Sequence, residues 1–145
     1  MSPIAIIFPE PAIYYEEIEI PAAITNRGSH LGFEQAPILI ADCQPRFFHH
    51  YGFSDMDVGG AGIIVAGLSV RYKAEIFAGE RLRMEVAVGN AEAKGCDIFY
   101  RFLKLRDGRP AVMAKTEIVF FDYGSRKSVD MPALFRQRFF DGENR

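Results

Sequence analysis

The chain has 145 residues, 49% of them apolar and 25% charged, with a formal net charge of −2. That length suits one domain, 1–145, able to bury about two-thirds of its unfolded surface. The near-neutral balance gives no electrostatic case for nucleic acid or for an anionic membrane surface. Cys43 and Cys96 stand far apart and in no ligand spacing, which reads as two buried thiols in a reducing compartment. Met1 to Pro11 carries apolar Ile4 to Phe8 but no basic start and no small-residue cleavage site. No signal peptide is expected, and a cytoplasmic protein is.

Phe8-Pro9-Glu10-Pro11 is irregular, because its two prolines exclude a helix or a paired strand. Tyr14 to Ile20 ends in the alternation of a half-buried strand, which Pro21 closes and Ala23 to Thr25 extend briefly. A polar, glycine-punctuated turn from Asn26 to Gly32 follows. It feeds Ala36 to Cys43, an almost wholly apolar run too short for a membrane span, which needs about 20 apolar residues. As a helix with no clear polar face, that run must be wrapped by something else. Glu34 at its head suits the helix dipole, and Pro37 suits the first turn. Pro45 is expected to break or kink the helix, leaving Arg46 to Tyr51 as a second short piece ending at Gly52. Ser54 to Gly62 reads as a loop.

Four long β-type runs come next: Ile63 to Ile76, Arg81 to Ala91, Cys96 to Arg106 and Ala111 to Tyr123. Leu82, Met84, Val86 and Val88 alternate with wetter positions, and Asp107-Gly108 is a strong hairpin signal. The short links, including Phe77 to Glu80, predict antiparallel neighbours in chain order. Met131 to Phe140 reads as a short surface helix. The expected architecture is α+β: one strand, a buried helix, and a four-strand antiparallel meander curled round it, a five-strand sheet in all.

This arrangement resembles the hotdog fold, and the sequence resembles its acyl-CoA thioesterase superfamily, including the 4-hydroxybenzoyl-CoA type. Asn26-Arg27-Gly28-Ser29-His30-Leu31-Gly32 is similar to the family's turn before the central helix. Asp42-Cys43-Gln44-Pro45-Arg46 sits where many members carry an acidic residue on that helix. Val70-Arg71-Tyr72-Lys73 with Ala78-Gly79-Glu80-Arg81-Leu82, and Ala114-Lys115-Thr116 with Val119-Phe120-Phe121-Asp122, resemble later strands. No single stretch is specific; their order and spacing together are.

The resemblance implies thioester hydrolysis in a homodimer or homotetramer, with active sites at the subunit interface. The acyl chain would follow the central helix, with acyl-CoA as substrate and no cofactor or metal. One branch carries its catalytic carboxylate in the turn, at the position held here by Asn26. Another uses a carboxylate on the helix, for which Asp42 is the match. Asp42, flanked by Ile40, Ala41 and Cys43, is expected to be desolvated and suited to acid–base work; the other reading pairs it with Arg46 at a wet helix end.

Asn26 is either a donor to the thioester carbonyl or a turn residue before Gly28. His30 either holds substrate or acts as an acid, or else caps the turn. Gly28, Ser29 and Gly32 offer backbone N–H groups to an oxyanion. Arg71 and Lys73, with Arg81, either meet CoA phosphates or stay solvated on a strand face. His49-His50 lacks further ligands at metal spacing. Gly59-Gly60-Ala61-Gly62 reads as a lid or interface loop. Two rival functions remain open. A hotdog dehydratase pairs a turn His with a helix acid, as His30 and Asp42 do, but its His-Phe-Pro signature is missing. A non-catalytic acyl-CoA binder would explain Asn26.

Overall fold

A computed structural model describes residues 5–141; the expectation resting on Ile4 lies outside them. Tyr14–Glu19 forms β1, and Ala22–Ile24 a single 3-10 turn where the strand was expected to continue. The central helix α1 is Gln35–His50. Then come β2 (Gly62–Tyr72), β3 (Arg81–Gly89), β4 (Gly95–Lys104), β5 (Pro110–Asp122), the two-residue β6 (Lys127–Ser128), and α2 (Ala133–Phe139).

The strands form one antiparallel sheet in the order β1-β3-β4-β5-β2, with β6 added to the end of β5. The sheet therefore has six strands rather than five. A larger difference concerns β2. It pairs with β5, not with its chain neighbour β3, so the strands are not a meander in sequence order. The link 73–80 is a crossover past the ends of β4 and β5. Its backbone is spoken for on the way: the Lys73 amide donates to Ala111 O at 2.8 Å and the Leu31 amide to Ile76 O at 2.6 Å.

α1 lies against one face of the sheet. Ala36, Ile40, Cys43, Phe47 and Phe48 are buried at three- and four-residue spacing. Against them stand Leu82, Met84, Val86 and Val88, the alternating set read from the sequence. The helix does not end at Pro45. Proline there removes the bond to the Ala41 carbonyl, and burial of Phe47 and Phe48 in the following turn offsets that loss. The expected helix without a clear polar face is not what forms: its outward side exposes Asp42, Arg46, His49 and His50 beside Ile38 and Ala41.

Much of the chain's phenylalanine is spent closing the far end of this core. Phe135 and Phe139 of α2 are fully buried, with ring centroids 4.7 Å apart, and Phe139 lies 5.7 Å from Phe47. α2 is the short surface helix expected, and these two rings anchor it in the core. On the other face of the sheet the irregular N-terminal arm covers part of β3 and β4, where Phe8 packs on Ala87 and Phe99. The Arg101 guanidinium sits 4.0 Å over the Phe8 ring and pairs with Glu85 at 2.6 Å. Both cysteines are free and buried, and burial pushes the Cys43 thiol up to about 12.

Candidate active site

The turn before α1 is closed by its own backbone. The Asn26 amide donates to His30 O at 2.9 Å, and the Ser29 amide to Asn26 O at 2.9 Å, while Ser29 takes a positive φ of 63°. Asn26 Oδ1 accepts the Gly28 amide at 3.0 Å, the Asx-turn role common before glycine. Of the turn's amides from Gly28 to Gly32, those of Gly28, Ser29 and Leu31 are used in these bonds. Among the described residues the His30 amide is not, whereas the antiparallel bridge between Thr25 and Leu31 turns the Gly32 amide toward Ile24 O, which narrows the oxyanion expectation to His30.

The turn packs against the crossover that follows β2, and the seam opens into a cavity of about 530 Å³. Asn26, His30, Leu31 and Phe33 line one side; Tyr72 to Ile76, with Val112, line the other. The Tyr72 hydroxyl donates to the Phe33 carbonyl just before α1. Burial and the negative charge of Glu34 raise the Tyr72 phenol above its ordinary pKa, so it stays a donor. Phe33 and Tyr72 are 79% and 50% exposed, an apolar rim. A larger hollow of about 870 Å³ lies between the N-terminal arm, the end of β3 and α2, and contains none of the motif residues. The chemistry-bearing groups converge at the smaller one.

His30 Nδ1 lies 3.3 Å from Leu31 O. A carbonyl only accepts, so this bond takes a proton on Nδ1, and in the neutral tautomer that makes this bond Nε2 carries the lone pair. Nε2 faces the Glu75 carboxylate at 3.9 Å. The cavity therefore joins Asn26, His30 and Lys73 of the predicted set, and Gly32 adjoins it.

Asp42 is elsewhere. Its side chain is 66% exposed and ion-paired to Arg46 at 2.8 Å, and Arg46 also holds Glu16 at 2.6 Å. The expected desolvation is not met in this chain, for a geometric reason. Ile40 and Cys43 face the sheet, and a residue two places from Ile40 on a helix points away from it. Arg71 is opposite Met113, which packs on the outer face with Phe8, so it does not share the cavity. Arg81 meets Glu17 and Glu19 at 3.6 and 3.9 Å on the solvent side of β1 and β3. Asp57 Oδ1 accepts the amides of Gly59 and Gly60 at 3.2 and 2.8 Å, which gives the glycine loop a defined turn.

The profile of the thioesterase-like superfamily matches residues 21–139, from the end of β1 to the end of α2. The chain belongs to the thioesterase-like superfamily. Its fold is that of solved hotdog thioesterases. A 1,4-dihydroxy-2-naphthoyl-CoA thioesterase from Synechocystis superposes with a TM-score of 0.78 at 17% identity, covering 90% of this chain and 97% of that one. A DHNA-CoA thioesterase from Staphylococcus aureus gives 0.69 at 22% identity, covering 87% and 82%. A Staphylococcus aureus protein solved in complex with CoA gives 0.78 at 14% identity, covering 93% and 85%. No curated protein sequence matches significantly.

In this thioesterase-like chain, sequence reasoning missed Glu75 and Tyr72. Both fall near the end of a run that reads as a plain strand, and only the crossover turns them toward the helix head. Glu34 was read for its dipole alone. Its carboxylate in fact lies over Gly32, where an added Cβ would come within 2.2 Å of Oε1.

Proposed function

We propose that this thioesterase-like protein hydrolyses an acyl-CoA thioester to the free acid and thiol, at the cavity between the Asn26–Gly32 turn and the crossover after β2. The observation that carries the reading is the meeting of Asn26, His30, Tyr72 and Lys73 in one cavity just before α1. Donors for a developing oxyanion are the His30 amide and the side-chain amide of Asn26, both on the cavity wall. Asn26 keeps its Nδ2 protons for the carbonyl, because Oδ1 is already held by Gly28. Lys73, exposed beside the cavity, suits a CoA phosphate. The CoA thioesters named for the similar structures support this substrate class. Asp42 has a structural role in this reading, as a partner of Arg46.

The working unit is a homodimer. β2 is the edge of the sheet, with β5 as its partner strand. Along it Ile64, Val65 and Leu68 are 37%, 47% and 45% exposed, continuing to Tyr72 at the cavity. A long apolar edge strand invites a second copy, which would also cover the open side of the cavity. Free-thiol release from a panel of short, long and aromatic acyl-CoAs tests the reading. Turnover of one class is expected. Absence of thiol release, with hydration of an enoyl-CoA instead, would move the protein to the dehydratase reading.

A further inference from the structure

We propose that Glu75 is the general base of the hydrolysis and that it shares the attacking water with His30. The inference rests on the hydrolase reading above and adds the carboxylate that Asn26 leaves missing from the turn.

The backbone brings the two side chains face to face. The Leu31 amide donates to Ile76 O at 2.6 Å and the Ala78 amide to Ser29 O at 3.1 Å, stitching the turn to the crossover on either side of His30. The Glu75 carbonyl is itself held by Lys104 Nζ, whose charge is paired with Glu80 at 3.2 Å. Neither Lys104 contact uses the Glu75 carboxylate. Glu75 Oε2 is therefore free to face the cavity, 3.9 Å from His30 Nε2.

That separation is too long for a direct hydrogen bond. In the neutral imidazole, with Nδ1 carrying the proton for Leu31 O, both facing atoms are acceptors. One water at about 2.8 Å from each satisfies both, giving one proton to Nε2 and one to Oε2. Its oxygen lone pairs then point away from the two acceptors, toward the cavity where a thioester carbonyl meets the His30 amide and Asn26. The charged groups facing this water are Glu75 from the crossover and Lys73 beside it, with Glu34 at the head of α1.

In the reaction the water oxygen bonds to the thioester carbon as the carbonyl electron pair moves to oxygen. The water proton passes to Glu75. When the oxyanion collapses, the C–S bond breaks, sulfur leaves with the pair, and Glu75 returns the proton to it. Acid and thiol are released and Glu75 is again a carboxylate. His30 orients the water and keeps its own proton on Nδ1 throughout.

The test compares wild type, Glu75→Gln, Glu75→Asp and Glu75→Ala in thiol release with the best acyl-CoA of the panel. The Gln variant should lose about a hundredfold or more in kcat, within the range of a general base, while KM stays within about twofold. The Asp variant should recover part of that loss, and added formate should restore part of the Ala variant's rate. A structural role would not respond to formate. Glu75 is 67% exposed, so each variant should melt with wild type. If wild type turns over and Glu75→Gln keeps its rate, or if Glu34→Gln alone abolishes it, the assignment to Glu75 falls while hydrolysis stands. If wild type releases no thiol from any acyl-CoA, the hydrolase reading and this base fall together.

Discussion

Arg46 holds two carboxylates of different kinds, one mostly enclosed and one exposed. Glu16 is nearly enclosed, accepting from Arg46 and, at 2.6 Å, from the Tyr14 hydroxyl. Burial pushes its pKa up, but the Arg46 and Tyr14 hydrogen bonds outweigh that and hold it below its ordinary value. A carboxyl depressed in the folded state adds stability above its unfolded pKa, about 4.3. That stability is lost as pH falls through the folded value. Glu16→Gln should therefore melt below wild type at neutral pH, and the gap should close as pH drops below about 4. Asp42 is the exposed partner, and a pair of that kind contributes about 0–1 kcal/mol. Asp42→Asn should shift the melt little and keep kcat within about threefold, since its carboxylate stands outside the cavity. A loss of about a hundredfold would instead make Asp42 the working base.

α1 shows what the sequence carried and what it hid. Its acidic head and the turn before it are local patterns and are present in the structure, whereas the expected lack of a polar face is not, since Asp42, Arg46, His49 and His50 are exposed. Its continuation past Pro45 was hidden, because the burial that outweighs a missing hydrogen bond is tertiary. Phe47 concentrates that burial, with rings of Tyr14, Tyr51 and Phe139 at 5.6 to 5.7 Å and no exposed surface. Phe47→Ala should cost about 3–5 kcal/mol in denaturant unfolding, with the slope unchanged. A cost under about 1 kcal/mol would mean that the ring does not hold the second half of the helix to the sheet. The strands divide in the same way. The hairpin at Asp107-Gly108 is local chemistry, with Gly108 at a φ of 75°, and it was legible. The partner of β2 was not, because a short link read as a turn turned out to cross two strands.

Across the whole molecule, the sheet hides one face under α1 and part of the other under the Phe8 arm, and the β2 edge is a long apolar margin. That edge ends at Tyr72, on the rim of the cavity, so association there and completion of the site are one event in this account. Lysine on an edge strand opposes strand pairing. Val65→Lys with Leu68→Lys should convert a dimer to a monomer in sedimentation and lower thiol release together. A wild type that sediments as a monomer with full activity would refute the coupling. The site was half legible for the same reason as the fold. Asn26, His30 and Gly32 lie within one turn that the sequence spells out. Glu75 joins them only when the crossover is stitched to that turn by Leu31–Ile76 and Ser29–Ala78.

The most direct measurement is the initial rate of free-thiol release from the best acyl-CoA by wild type and by His30→Gln. The Gln side chain keeps size and polarity but not the imidazole lone pair facing Glu75. Rapid release by wild type and a loss of about a hundredfold or more in kcat for the variant is the expected result, with the fold intact by circular dichroism. Equal rates for the two proteins, or no release by wild type, would contradict hydrolysis at this cavity.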